Sequence, residues 1–341
     1  MPRERKTLKA WFLLFRPWSY TATLVPFLLG LAIGSGMRGR EYGSLARWGL
    51  ALASGVFFQA VVNLLNTWGD ERSGVDAVPG AIRTTPQIHD GIISMRALFT
   101  AALACALLAA AFGLPTAFSR YANHAAWGVN VPLLAAAFIG FLGATNYSTG
   151  VKFKYRGLGV PFVSFLMGPL ETFAAWAAFM PLDIVEGGAG LMIGALSSLL
   201  YSLPVAALVG VIMHGNDMRD IPTDRAAGIR TLATTLGPGL SLAYYWACHV
   251  LPYLVVAFGF GFAAIYVSVL RAMPFLLPFL ALPLTVRTLR GATTTYIAWR
   301  RVYGSSDAPP SPPWLRLERG SGAVHCVYGV LYALALLSYA I

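Results

Sequence analysis

The sequence predicts an all-α polytopic membrane protein, and three observations carry that prediction. Of 341 residues, 57% are hydrophobic and only 11% charged, whereas an ordinary soluble domain is about 25% charged. Nine apolar segments approach the roughly 20 residues a bilayer-crossing helix needs, at 11–36, 47–69, 93–113, 130–148, 159–180, 189–214, 240–263, 272–289 and 324–341. Lys and Arg are distributed unevenly between the two sets of connections these segments define.

The first segment follows a basic start, MPRERKTLK, and carries Arg16 and Pro17. It continues to spanning length, so it is expected to stay in the protein rather than to be cleaved as a leader. Arg16 sits near the start of this span, where it can snorkel to the interface or bind an anionic headgroup or acceptor carboxylate. The second segment breaks into NLLNTWGDERSGVD, Asn63 to Asp76. Asn66 and Asp70 are four apart and share a helix face, and Gly74 lets the chain turn before Asp76. Asn63, an amide in an apolar span, is expected to tie one helix to another.

The fourth segment ends in NYSTGVKFKYRGL, where Tyr147, Lys152, Lys154, Tyr155 and Arg156 offer donors to an anion. In the fifth, Glu171 within FLMGPLETFAAW is an intramembrane acid and hence an acceptor-site candidate. The sixth runs into HGNDMRDIPTDRAAGIRT, whose Asp217, Asp220 and Asp224 are spaced for one helical face. Arg83 and Arg230 follow the first and second acidic stretches, each placed to clamp a diphosphate. The stretch from about 290 to 322, with SSDAPPSPP and several Arg residues, is expected to be a flexible basic connector near an anionic membrane surface.

With a cytoplasmic N-terminus, the outer connections hold only Arg38, Arg40, Arg47, Arg120 and Arg271 of the 25 Lys and Arg residues. An N-in, C-out arrangement follows, with both acidic stretches and the basic 146–158 stretch on the cytoplasmic side. The net charge of +11 is therefore membrane topology, not a nucleic-acid stripe. Cys105, Cys248 and Cys326 lie far apart in apolar segments, which argues against a disulfide framework or a zinc site.

Six of the 14 acidic residues belong to the two stretches: Asp70, Glu71, Asp76, Asp217, Asp220 and Asp224. Crowded carboxylates repel unless a cation lies between them, and hard oxygen ligands without His or Cys favour magnesium or calcium. The plainer alternative is solvated charge paired with Arg72, Arg219 and Arg225. Two such clusters on one face, beside a basic loop, favour the metal. Their recurrence after spans two and six hints at two related halves around a central cavity.

These motifs resemble the UbiA superfamily of intramembrane prenyltransferases. The first stretch is similar to that family's N-D-x-x-D region and DMRDIPTDRAAGIRTLA to its second aspartate motif. NTWGDERSGVD, YSTGVKFKYRGLG and HGNDMRDIPTD look most like the 1,4-dihydroxy-2-naphthoate prenyltransferases of menaquinone synthesis and their animal vitamin K relatives. The resemblance runs from about Arg16 to the ninth span. It implies a single domain over 1–341 and a nine-helix bundle around a central cavity, in which Mg²⁺ binds a polyprenyl diphosphate. By this resemblance Asn66 and Asp70, with Asp76, serve one metal position, and Asp220 and Asp224, assisted by Asp217, the other. Asn66, Asp70, Asp220 and Asp224 form the catalytic set, and Tyr147, Lys152 and Lys154 are diphosphate-side donors. Where many family members carry Asp after the motif asparagine, this chain has Thr67.

The implied partners are the diphosphate, an aromatic acceptor and membrane lipids, with no nucleic acid and no obligate protein partner. The implied reaction is ring prenylation with loss of the acceptor carboxylate. Other acceptors are 4-hydroxybenzoate, homogentisate or a glycerol phosphate lipid precursor. From a different class, a solute transporter should place its binding charges near the bilayer midplane between broken helices, whereas these acids lie at helix ends on one side.

Overall fold

A computed structural model describes residues 3–39, 43–73, 86–121, 126–148, 150–226, 228–303 and 317–339. It is a helical membrane protein. The labelled helices are α1 (Arg3–Phe15), α2 (Thr21–Gly34), α3 (Leu45–Ser73), α4 (Met95–Ala117), α5 (Val131–Tyr147), α6 (Gly159–Phe165), α7 (Glu171–Phe179), α8 (Gly188–Ala226), α9 (Leu232–Tyr266), α10 (Leu282–Tyr303) and α11 (Leu317–Tyr339). Consecutive pieces merge into eight long apolar spans among the described residues, and α5, at 17 residues, is shorter than the rest. The nine segments expected from hydropathy thus appear as eight long spans and one shorter apolar helix.

Two expectations need correction. The connector placed at about 290–322 is helical at both of its described ends, because α10 runs on to Tyr303 and α11 already begins at Leu317; residues 304–316, with SSDAPPSPP, lie outside the described residues. Arg287, Arg290, Arg300 and Arg301 depress the average hydropathy of α10 without breaking its helix, since Arg is a good helix former. The all-α expectation also omits a short antiparallel ladder between α4 and α5, pairing Phe118 with Val129 and Arg120 with Trp127.

Large outward residues such as Phe258, Phe262, Ile265, Leu270 and Leu280 are exposed. In lipid such a surface costs nothing, so helix association relies on close packing instead of on the hydrophobic effect. Small residues supply that closeness. A Cβ on Gly30 would sit 2.5 Å from the Thr172 carbonyl oxygen, bringing α2 against α7, and one on Gly329 would sit 2.3 Å from Val25, bringing α11 against α2. α2 consequently belongs to two buried clusters, one with α8, α9 and α11 and another with α3 and α7. A third cluster joins α1, α3 and α4.

Two breaks in these helices bear on function. Between α1 and α2 the helix breaks at Arg16, a non-glycine residue in the left-handed region (φ 50°). Between α6 and α7 a π-helical turn, Leu166–Leu170, contains Pro169. Proline has no N–H to donate to the helix, which fits the widened turn that precedes Glu171.

Candidate functional site

The site begins with the inner face of α3. Gln59, Asn63, Thr67 and Asp70 recur every three or four residues and are all buried, so helical periodicity alone turns them to the same side. Asn63 makes the inter-helix tie expected of it, donating through Nδ2 to the Phe15 carbonyl (2.8 Å) and the Ser19 hydroxyl (2.9 Å). Thr67 is 1% exposed; it donates to its own helix at Asn63 O and accepts from Nη2 of Arg16 at 3.2 Å. Where many family members have a carboxylate, this chain has an Arg16 partner off the pocket wall.

Asp70 is engaged from across the bundle. Lys154 Nζ lies 2.9 and 2.7 Å from its two oxygens, and the Tyr155 hydroxyl donates to Oδ1 at 2.5 Å. Both donors sit on one 3₁₀ turn, Phe153–Tyr155, entered through a left-handed Lys152 (φ 59°). Burial works against the Lys154 ammonium, but Asp70 beside it holds its pKa above the ordinary lysine value. The chain leaving this turn pairs in parallel with the second acidic stretch at Arg156 and Arg230.

The second stretch is the end of α8. Asp220 is held in bidentate fashion by Arg219 (both contacts 2.8 Å), and the Arg219 guanidinium also lies 3.8 Å from Glu318 of α11 and 3.3 Å from Asn216. The plain alternative of acid paired with arginine therefore holds for Asp220. Asp217 and Asp224 enter no ion pair among the described residues. Burial first, then the neighbouring Asp220 charge, pushes the Asp224 carboxyl up to about 7, with Lys154, Arg219 and Asp70 also acting on it. The two acidic stretches are thus within electrostatic reach of each other.

One pocket of about 1500 Å³ collects most of the predicted residues: Arg16, Asn66, Asp70, Tyr147, Lys154, Glu171, Asp217, Asp220 and Asp224 all line it. Lys152 and Arg230 are exposed and lie off its wall. Asp76 and Arg83 lie outside the described residues. Sequence reasoning named Arg219 only as a charge partner and missed Asn216, Glu318 and Arg319, all of which also line the pocket. For Glu318 a signal existed, since Leu317, Ser321, Val324 and Tyr328 are buried at helical spacing from the very start of α11.

Among the described residues, no three His, Cys, Asp or Glu side chains converge closely enough to hold a metal ion by themselves. What the pocket does offer is a buried Asn66 Oδ1 with no hydrogen-bond partner beside carboxylates without cationic partners. Such oxygens suit a hard cation that keeps waters and takes ligands from a substrate's phosphates. Away from this end the wall is apolar, with Phe58, Ala110, Leu114, Leu133 and Phe141.

The UbiA prenyltransferase family matches residues 11–303, most of the chain. The chain belongs to the UbiA prenyltransferase family. UbiA prenyltransferase domain-containing protein 1 of Rattus norvegicus is 31% identical over 282 residues, covering 80% of this chain and 73% of the relative. The Homo sapiens protein of the same name is 30% identical with the same coverage. A UbiA homolog from Archaeoglobus fulgidus, solved bound to GPP and Mg²⁺, shares the fold at a TM-score of 0.51 and 17% identity, covering 96% of this chain and 99% of its own. The apo homolog from Aeropyrum pernix K1 does so at a TM-score of 0.58 and 17% identity, over 92% and 96% of the two chains. A UbiA fold accounts for the convergence of α3 and α8, whose acidic ends are about 150 residues apart in sequence.

Proposed function

We propose that this protein is a Mg²⁺-dependent prenyltransferase that moves a polyprenyl group from its diphosphate to an aromatic acceptor, 1,4-dihydroxy-2-naphthoate being the acceptor the motif resemblance favours. The observation that carries this reading is the pocket that collects these residues. Asn66, Asp70, Lys154, Asp217, Asp220 and Asp224 stand at one end of it, and most of the remaining wall is apolar. A diphosphate with an isoprenoid tail has the same division of polarity. The Archaeoglobus fulgidus homolog, solved with GPP and Mg²⁺, supports the same ligand class.

Asn66, Asp217 and Asp224 would hold the cation, with Asp70 and Asp220 as the remaining oxygen donors. Bound Mg²⁺ would neutralise the diphosphate and make it a better leaving group. Lys154, oriented by Asp70, has further N–H donors to turn to phosphate oxygens. Tyr147, at the end of α5 in the same wall, adds an aromatic face beside the reacting end. The apolar wall keeps water from the allylic centre while the acceptor ring attacks it. Arg16, tethered to Thr67, lines the same pocket and would place its positive charge toward an acceptor carboxylate.

Purified protein incubated with Mg²⁺, geranylgeranyl diphosphate and a panel of aromatic acceptors should yield a prenylated product identifiable by mass. Asp70→Ala and Asp224→Ala should each lower that activity at least a hundredfold while the proteins still insert and fold. Full activity in either variant removes that residue from the site. No product with any acceptor, together with solute flux in proteoliposomes, would return the transporter reading.

A further inference from the structure

Deeper in the pocket, past the acidic end, lies a second polar cluster that diphosphate chemistry does not use. Glu171, Gln59 and Ser19 all line the pocket there. Thr23 Oγ1 lies 3.4 Å from Glu171 Oε1 and 3.4 Å from Gln59 Oε1, yet its single proton can serve only one of them. The amide hydrogens of Gln59 are directed instead to the Ser19 hydroxyl and to Asn63 Oδ1, each at 3.4 Å. The other carboxyl oxygen, Glu171 Oε2, is buried and has no partner. The cluster therefore leaves hydrogen-bonding capacity unused, and turning the Gln59 amide over still leaves Glu171 Oε2 without a partner.

A buried carboxyl oxygen without a partner is completed by a ligand that brings an O–H group, which both donates and accepts; an isoprenoid tail brings none. We infer that Glu171, with Thr23 and Gln59, recognises a ring hydroxyl of the acceptor, so that the enzyme selects hydroxyl-bearing arenes over their ethers. This inference rests on the prenyl-transfer reading for the identity of the ligand. Seven residues of α3 separate Gln59 from Asn66, about 10 Å along the helix. A bicyclic ring can fill that distance with its reactive carbon toward the acidic end and a hydroxyl toward Glu171. The π-turn just before Glu171 and the close packing of α2 on α7 at Gly30 hold Glu171 opposite Thr23. Glu171 is thus a recognition residue for the acceptor, not a ligand of the cation.

The test compares wild type, Glu171→Leu and Glu171→Gln, with thermal melting as the check on folding. With 1,4-dihydroxy-2-naphthoate as acceptor, Glu171→Leu should raise the acceptor KM about tenfold, the loss of one buried hydrogen bond. Glu171→Gln should recover part of the loss, and the KM for geranylgeranyl diphosphate should not move. Wild type should also discriminate against the 4-methoxy analogue, and Glu171→Leu should not. An unchanged acceptor KM in both variants, or equal movement of the acceptor and diphosphate KM values, overturns the inference. Should wild type turn over no acceptor, the prenyl-transfer reading fails separately, and calorimetry with the same two naphthoates still decides this one. A wild-type preference for the dihydroxy compound that Glu171→Leu abolishes supports it, and equal wild-type affinity for both compounds refutes it.

Discussion

At the scale of the residue, Asp224 sets a pH dependence whose sign can be worked out. Its folded-state pKa is raised from 3.8 to about 7. The folded, metal-free protein therefore holds this proton more tightly than the unfolded chain does, and Asp224 costs stability as pH rises from about 4 to 7. A cation opposite the carboxylate offsets that cost, and it competes with the proton for the same oxygens. Mg²⁺ added with inorganic diphosphate should accordingly raise the melting temperature more at pH 8 than at pH 6. In Asp224→Asn the difference between the two increments should shrink. The acid spacing behind this prediction was legible in the sequence, because three-and-four spacing on a helix is local geometry. The partner of Asp70 was not. Lys154 and Tyr155 reach it only because a 3₁₀ turn folds back across the bundle, a long-range contact that no local pattern encodes.

At the scale of the element, glycine decides how near the helices come. At Gly30 any side chain would run into the backbone of α7 at Thr172 and Trp176, whereas a Cβ at Gly49 meets nothing within 4 Å. Overpacking of a tight contact costs about 1–3 kcal/mol. Gly30→Leu should thus lower the melting temperature of the detergent-solubilised protein by several degrees, and Gly49→Leu should leave it within a degree. Because α2 carries Thr23 and α7 begins at Glu171, Gly30→Leu should also raise the acceptor KM. Hydropathy located the spans but could not reveal this contact, since a glycine in an apolar run reads the same facing lipid or another helix. Hydropathy failed also at α10, where arginines along a continuous helix look like a connector when averaged over a window.

At the scale of the whole molecule, we propose that the charge asymmetry orients the bundle, with the acidic ends of α3 and α8 and the Lys152–Arg156 turn on the cytoplasmic side and the β-ladder at Trp127 on the other. Lys152 and Trp127 are both exposed. In a background without Cys105, Cys248 and Cys326, Lys152→Cys should react with a membrane-impermeant maleimide in inside-out vesicles only, and Trp127→Cys in right-side-out cells only. The opposite pattern would invert the topology. Similar motifs at the ends of spans two and six made the convergence of α3 and α8 legible from the chain. The part played by α11 was not, because Glu318 reaches Arg219 only through packing of the last helix against α8.

Only two non-glycine residues have a left-handed backbone among the described residues, and both are cations, Arg16 and Lys152. A left-handed L-residue costs about 1–2 kcal/mol relative to its ordinary conformation, so each is spring-loaded. Neither stores that energy in the middle of a helix. Arg16 joins α1 to α2, and Lys152 opens the turn that delivers Lys154 and Tyr155 to Asp70. The protein thus sacrifices stability at two hinges that aim basic and hydroxyl donors. A glycine at either hinge would relax the backbone and trade aim for durability.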